Sequence, residues 1–416
     1  VTVPQARRPE HLAILGKTGT GKSSLLQYLC EQDIRADRSF IFFDLHGDAT
    51  PALARLVAAE EKRRGKDMSE RFIIFDPADR EWSAGINILS PQDELQRYVQ
   101  VAEITELLKA RWQLDAFGAR TEELLRNSLQ VLQDKRFTFV ELGALLTDRA
   151  FRMACVSTTT NKEAASYFNT RYNRLSEGAQ AEYREAVLNK VSVFSADPHF
   201  RHILGQEPST VPLQAISEGG HWMVFNLDKG RLGEQAVTLG SLLLTRIRHT
   251  LFARNSRTLL TLYCDELQNL VTLDNIDTML AEARKLGVSV CSANQYLDQY
   301  PYEMQAAVLS VGSLLFFQLS GLDAGRISAA LGGSDTLAYG LRGLPPRQFL
   351  AKIDRHLPRH VGVPELMQPT VSDDDVADLI RRSQQRWARP RTEIEEQIAG
   401  RLIEQNTLKK PLDDWE

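Results

Sequence analysis

The chain has 416 residues, 43% of them hydrophobic and 25% charged, with a formal net charge of −4 at pH 7. That balance is ordinary for a soluble protein of about two to three domains. It excludes a globally basic nucleic-acid binder, while leaving room for one that grips nucleic acid through a local ring of Lys or Arg. No apolar run approaches the ~18 residues of a membrane helix and no signal peptide opens the chain, so the expected location is cytoplasmic. The first residue is Val1, not Met. A preceding segment, including an anchor or partner contact at the inner face of the membrane, therefore stays open.

In chain order, His11-Leu-Ala-Ile-Leu15 is a short apolar run suited to a buried parallel strand. Gly16, Lys17, Thr18, Gly19, Thr20, Gly21, Lys22 and Ser23 follow as a complete G-x-x-x-x-G-K-S loop, and Ser24 continues into a helical pattern. A loop in this position aims backbone N–H groups and a helix N-terminus at nucleotide phosphates. The glycines permit backbone angles that a Cβ would forbid. Lys22 supplies a charge to the phosphates, and the Ser23 hydroxyl is a ligand for Mg²⁺. The expected cofactors are ATP and Mg²⁺.

Further strands are expected at 39–43, ending in Asp44-Leu-His-Gly-Asp48, and at 72–75. This alternation of strand and helix signals predicts an α/β fold with a mostly parallel sheet and ligands at the carboxyl ends of its strands. From about Gln92 to Gly205 the strand signals stop. A helix carrying Val99, Ala102, Ile104, Leu107 and Leu108 is followed by one over 121–133 that opens at Thr121, and by two more within 162–195, broken near Gly178. Strand signals resume at 222–225, then a long apolar helix over 233–253, then strands at 259–264, 288–291 and 314–317. The reading is a first ATPase part over 1–91, an all-α insertion over 92–205, a second ATPase part over 206–368 and a helical tail over 369–416. Cys30, Cys155, Cys264 and Cys291 form no C-x-x-C pair, and the two in apolar strand-like runs, Cys264 and Cys291, read as buried free thiols.

The loop requires an acid for the metal and a base for water on other strands. Leu259 to Cys264 is a six-residue strand capped by Asp265-Glu266. Asp265 is the candidate metal ligand, and Glu266 the candidate base that polarises attacking water. A glutamate directly after the metal acid marks hydrolysing motors rather than nucleotide kinases.

Asp265-Glu-Leu-Gln-Asn269, Ala281-Glu-Ala-Arg284-Lys-Leu-Gly287 and Ala293-Asn-Gln295 together resemble the HerA/FtsK superfamily of DNA-pumping ATPases, in particular the TraG-like coupling ATPases of conjugation. Asp44 to Asp48, Phe117-Gly-Ala-Arg120, Leu188-Asn-Lys190, Asn226 to Gly230, and Val311-Gly-Ser313 with Asp323-Ala324 extend the resemblance over most of residues 10 to 365. Leu45 departs from it, since relatives place proline there. The resemblance implies a P-loop NTPase fold of the RecA-like, additional-strand catalytic-glutamate class. It implies that Gln295 is a polar sensor of the γ-phosphate. It also makes Arg284 an arginine finger reaching the neighbouring subunit's nucleotide, hence a homo-oligomeric ring, by analogy a hexamer. DNA, held by backbone contacts without base reading, is the implied substrate. Relaxase or secretion-channel proteins are the implied partners.

Other features carry alternative readings. Arg120 is either a second phosphate or interface arginine or a helix-start residue paired with Glu123. Asp44, His46 and Asp48 form a turn at a strand end. Glu60 to Asp67 reads as a solvated loop. Arg381, Arg382, Arg386, Arg389 and Arg391 around Trp387 read as a surface or docking helix, with nucleic-acid contact as the other use. Arg171, Arg174 and Lys190 are open candidates for that contact. The functional readings are a ring-shaped DNA translocase of conjugation or mobile elements, a type IV secretion ATPase moving protein or a HerA-like repair motor, and a non-motor nucleotide-dependent scaffold. A small-molecule kinase fits less well, because the insertion is helical rather than a substrate lid.

Overall fold

The structure is a computed structural model that describes residues 2–91, 96–114, 118–271, 276–366 and 370–407. Its strands in chain order are β1 (Leu12–Leu15), β2 (Ser39–Asp44), β3 (Phe72–Phe75), β4 (Trp82–Ser83), β5 (Trp222–Asn226) and β6 (Leu260–Asp265). They continue as β7 (Val288–Asn294), β8 (Ser313–Phe316), β9 (Gln348–Ile353), β10 (Arg359–Gly362) and β11 (Arg389–Pro390). Among the described residues no helix is long and apolar enough to cross a membrane.

One compact unit comprises Val1–Phe75, Leu213–Gly240 and Thr250–Arg386. Its nine-stranded sheet runs β10-β9-β8-β1-β7-β6-β2-β5-β3. Pairs from β8 through β3 are parallel, while β9 and β10 add an antiparallel edge. All six residues of β2 are buried, as a strand covered on both faces requires. Phe43 and Phe75 flank Phe225 on neighbouring strands, with ring centroids 4.8 and 4.9 Å apart. These in-register aromatic contacts fix β5 between β2 and β3.

The strand order carries functional information. β7 is inserted between β1, which leads into the glycine-rich loop, and β6, which ends in the acidic pair. The sheet is thus of the additional-strand type. The antiparallel hairpin of β9 and β10 had no counterpart in the periodicity of the chain. Its strands pair at the edge beyond β8, and β10 is largely exposed, so it lacks a continuous apolar run.

Beneath the sheet lies a buried ionic knot. Asp33, with no solvent exposure, accepts hydrogen bonds from Arg8 (2.8 Å), Arg38 (2.7 Å) and the Tyr263 hydroxyl (2.7 Å). The four cysteines are buried free thiols, and burial pushes Cys155 up to about 12 and raises the other three as well.

The second unit comprises Asp76–Pro212, Ser241–His249 and Trp387–Glu416. Its helices include Gln96–Trp112, Ala119–Asp134, Lys162–Thr170 and Glu177–Ala196. Trp112, Phe139, Phe194 and Phe200 make its aromatic centre. A capping box holds one turn: Thr138 donates its amide and hydroxyl to Glu141 at 2.7 and 2.6 Å.

Several expectations are corrected here. The helix expected to open at Thr121 begins at Ala119 behind Gly118, so Thr121 is a buried first-turn residue and not a cap. The break expected near Gly178 lies at 171–176, where Ser176 caps the next helix through the Ala179 amide, and Gly178 itself is inside that helix. Arg120 bonds the Tyr183 hydroxyl (2.8 Å) and lies over its ring, while Glu123 pairs with Arg171. Glu60 is not in a solvated loop. It is buried at the end of the helix Ala49–Arg64, held by Arg63 and Arg64. Phe117 lies outside the described residues.

The Arg-rich stretch is also committed internally. Arg382 pairs with Glu61, Asp67 and Asp378, and Arg386 with Asp67 and Glu70. Arg389 bonds Gln397, and Arg391 bonds the Pro77 carbonyl. Guanidinium groups satisfied in this way are poor candidates for phosphate contact.

Candidate active site

The glycine-rich loop leaves β1 at its carboxyl end. The Gly16 N–H donates to the Asn294 carbonyl (3.1 Å) and the Lys17 N–H to the Gln318 carbonyl (2.9 Å), lacing the loop to the exits of β7 and β8. A Cβ at Gly16 would lie 2.4 Å from the Cβ of Phe317, so only glycine fits. Gly19 and Gly21 have φ of +78° and +110°, angles accessible to glycine at little cost. The Arg347 N–H donates to the Thr20 carbonyl (2.8 Å), so the segment before β9 rests on the loop.

Lys22, buried, opens the helix Lys22–Arg35 and folds its ammonium over the loop, donating to the carbonyls of Gly16 (2.6 Å) and Lys17 (3.0 Å). Burial lowers its pKa, while Asp265 and Glu266 oppose the shift. Ser23 and Ser24 occupy the first turn, with Ser23 exposed.

Asp265 ends β6, and the chain then turns sharply: Glu266 adopts a left-handed conformation with φ 60° and ψ 54°. Its N–H donates to the Ala293 carbonyl (2.8 Å) on β7. Because β7 runs between β1 and β6, Gln295 at its exit can touch both sides. Thr18 Oγ1 donates to Gln295 Oε1 (3.1 Å), and Gln295 Nε2 donates to Glu266 Oε1 (3.3 Å). His46 Nε2 lies 3.8 Å from the same Glu266 oxygen. The turn carrying His46 is fixed by buried Asp44, which accepts from the Gly47 N–H (2.8 Å), the Thr50 N–H (2.8 Å) and the Thr50 hydroxyl (2.7 Å). Leu45, where a proline was the expected residue, is fully buried, and its carbonyl accepts from the Lys229 N–H (3.1 Å).

The Asp265 carboxyl is pushed up to about 6, first by burial and further by Glu266 and Asp44, while His46 and Lys22 pull it down. Such a carboxylate is one that a divalent cation would relieve. Among the described residues no group of three or more His, Cys, Asp or Glu is placed to hold a metal. Mg²⁺ usually keeps several waters and takes one or two protein oxygens plus substrate phosphates. A cavity of about 570 Å³ opens beside the loop, lined by Lys17, Thr18, Gln295, Tyr296, Ser320 and Asp323 among others.

The loop, Asp265, Glu266 and Gln295 are therefore brought together. Arg284 is not. It sits in the last turn of the helix Ile276–Lys285, before the amino end of β7, whereas Gln295 follows the carboxyl end of that strand. The seven residues of β7 separate the two by roughly 23 Å. Its side chain is 62% exposed and bonds Glu10 (3.3 Å), which also pairs with Arg7. Residues missing from the sequence reading of the site are Asn269, which bonds Glu266 Oε2 (2.8 Å), and Arg347. The three-residue spacing from Glu266 to Asn269 was the available signal, since side chains at i and i+3 eclipse in a 3₁₀ turn.

A glycine-rich phosphate loop on β1, an acidic pair on β6 and a strand between them define a P-loop NTPase of the additional-strand class. Residues 9–247 match the family model of the helicase HerA central domain, and the chain belongs to that family. Among solved structures, it is similar to VirB4 of Thermoanaerobacter pseudethanolicus, at a TM-score of 0.62 and 14% identity, covering 88% of this chain and 94% of that one. It is also similar to the plasmid coupling protein TrwB in complex with the ATP analogue ADPNP, at a TM-score of 0.61 and 17% identity, covering 89% of each chain. TrwB in complex with ADP and Mg²⁺ matches at a TM-score of 0.56 and 17% identity, again over 89% of each. At these identities the likeness is one of fold. No curated protein matches the sequence.

Proposed function

We propose that the chain is an ATP-hydrolysing, ring-forming DNA translocase of conjugative or mobile-element transfer. The observation that carries the hydrolytic part is the bridge from Thr18 through Gln295 to Glu266, which ties the phosphate loop to the candidate base. In this reading Lys22 and the loop amides bind the phosphates of ATP. Ser23 and Asp265 hold Mg²⁺, which when bound neutralises phosphate charge. Glu266 takes the proton of the attacking water. Gln295 senses whether the loop is filled. The TrwB complexes with ADPNP and with ADP and Mg²⁺ support this choice of ligand.

Arg284 serves the nucleotide of a second copy in this reading, which its exposure at the amino end of β7, away from its own loop, supports. The assembly proposed is a ring, by analogy a hexamer, with hydrolysis at each interface. The ATPase parts 1–91 and 206–368 form the motor, 92–205 is an inserted helical domain, and 369–416 is a tail. Grip on DNA through backbone phosphates makes binding salt-sensitive and nearly sequence-blind. Relaxase or secretion-channel proteins are the partners this role requires.

The test is steady-state ATP hydrolysis with and without linear double-stranded and single-stranded DNA, beside a Glu266→Gln control. Stimulation by DNA that vanishes in the control is the expected result. Hydrolysis indifferent to DNA would instead favour a secretion ATPase that moves protein. Absence of turnover despite ATP binding and ring formation would leave only a scaffold.

A further inference from the structure

We infer that Asn269 is the positioning residue of the Glu266 carboxylate, an inference that rests on the reading of Glu266 as the base. The two oxygens of that carboxylate are held in different ways. Oε2 accepts from Asn269 Nδ2 at 2.8 Å. Oε1 accepts the longer bond from Gln295 Nε2, at 3.3 Å.

The Asn269 hold is built by local backbone. Glu266 leaves β6 in the left-handed region, and Leu267–Asn269 form a single 3₁₀ turn in which the Asn269 N–H donates to the Glu266 carbonyl (3.0 Å). Three residues per turn set side chain 269 directly beside side chain 266. The turn is anchored by buried Leu267 and by the Glu266 N–H on β7. Nothing in this hold depends on the phosphate loop. A left-handed non-glycine residue costs energy and persists where surrounding structure fixes it; here it aims the carboxylate away from the line of β6.

The Gln295 hold does depend on the loop, since Gln295 Oε1 is bonded to Thr18 Oγ1, and both residues line the cavity beside it. A ligand entering that cavity competes for Thr18 and Gln295 and releases Oε1. Asn269 keeps Oε2. The carboxylate is then left with Oε1, 3.8 Å from His46 Nε2, in a defined direction and open to a water proton, instead of swinging about its side-chain bonds. Misdirection of a reacting group by about 1 Å can cost on the order of 10²-fold in rate.

The test combines steady-state and single-turnover ATP hydrolysis by the full chain. Asn269→Leu is expected to lower kcat by about 10- to 100-fold with KM and nucleotide affinity within about twofold. Asn269→Asp, isosteric but without a donor, falls at least as far, and Asn269→Gln, which keeps the amide, recovers part of the loss. In a Glu266→Gln background Asn269→Leu costs nothing more, because its effect runs through Glu266. A loss expressed in KM, an equal loss in that background, or kcat within about twofold of the parent would overturn the inference. Should Asn269→Leu melt early, the isosteric Asn269→Asp carries the decision. Normal turnover in Glu266→Gln alone overturns the base itself, and with it this inference. An inactive Glu266→Gln beside a fully active Asn269→Leu overturns only the latter.

Discussion

Replacing Asp265 by Asn should make the nucleotide-free protein more stable at neutral pH while abolishing its turnover. The carboxyl is raised from 3.8 to about 6, with burial the leading cause. A shift of roughly two units corresponds to about 3 kcal/mol, and screening at the partly open site reduces this to about 1–2 kcal/mol. The sign follows from proton binding. Between about pH 4 and 6 the folded chain holds a proton at Asp265 that the unfolded chain has released, so the parent loses stability as pH rises through that window. Below it both states are protonated and the penalty disappears. The amide introduced by Asp265→Asn carries no such charge, so the advantage of this variant should grow from near zero at about pH 4 to about 1–2 kcal/mol at pH 7. Urea unfolding of both proteins from about pH 4 to 8, without nucleotide, measures it. Addition of Mg²⁺ and ADP should reverse the order, because only the parent gains cation binding energy. A variant less stable than the parent at pH 7, or an advantage that does not change with pH, would refute the argument that an unrelieved buried carboxylate sits at the end of β6.

Two further outcomes concern the scaffold. Asp33→Leu strands the partly buried Arg8 guanidinium and should cost about 2–4 kcal/mol in urea unfolding, whereas the pair Asp33→Leu with Arg8→Met should recover most of it, since Arg38, 24% exposed, can turn to solvent. Gly287→Ala should cost about 2–4 kcal/mol, because φ is +74° and the new Cβ would lie 2.5 Å from the Arg257 carbonyl oxygen; Gly65→Ala, at φ +61° with open space around it, should cost only about 1 kcal/mol.

The local code was explicit where chemistry demands a fixed backbone or a strand covered on both faces. Gly16 to Ser23 could be read because a phosphate loop needs those glycines and that lysine in sequence, and the structure finds Gly16 against Phe317 and Gly19 and Gly21 in the glycine-favoured region. β2, β5 and β6 were visible because buried parallel strands are largely continuous apolar runs, whereas β7, with Ser289 and Ser292 among its seven residues, showed only its first half. Asp265 and Glu266 followed from standing at the end of one of them. Exposed β10 and the exact ends of the second unit's helices left weaker traces, since half-polar edges and caps of low specificity do not impose a period.

What no linear reading could supply was adjacency. That β7 lies between β1 and β6, so that Gln295 touches Thr18 on one side and Glu266 on the other, depends on how strands far apart in the chain pair. The fate of the charged runs was equally tertiary. Arg382 and Arg386 read in sequence as part of a surface or docking helix, and they pair with Glu61, Asp67 and Glu70, more than 300 positions away. Composition and local pattern marked the candidate residues for the chemistry, because bond angles and burial act over a few positions. Which of them meet, and that Arg284 faces away from its own phosphate loop, is set by long-range packing that has no signature in neighbouring residues.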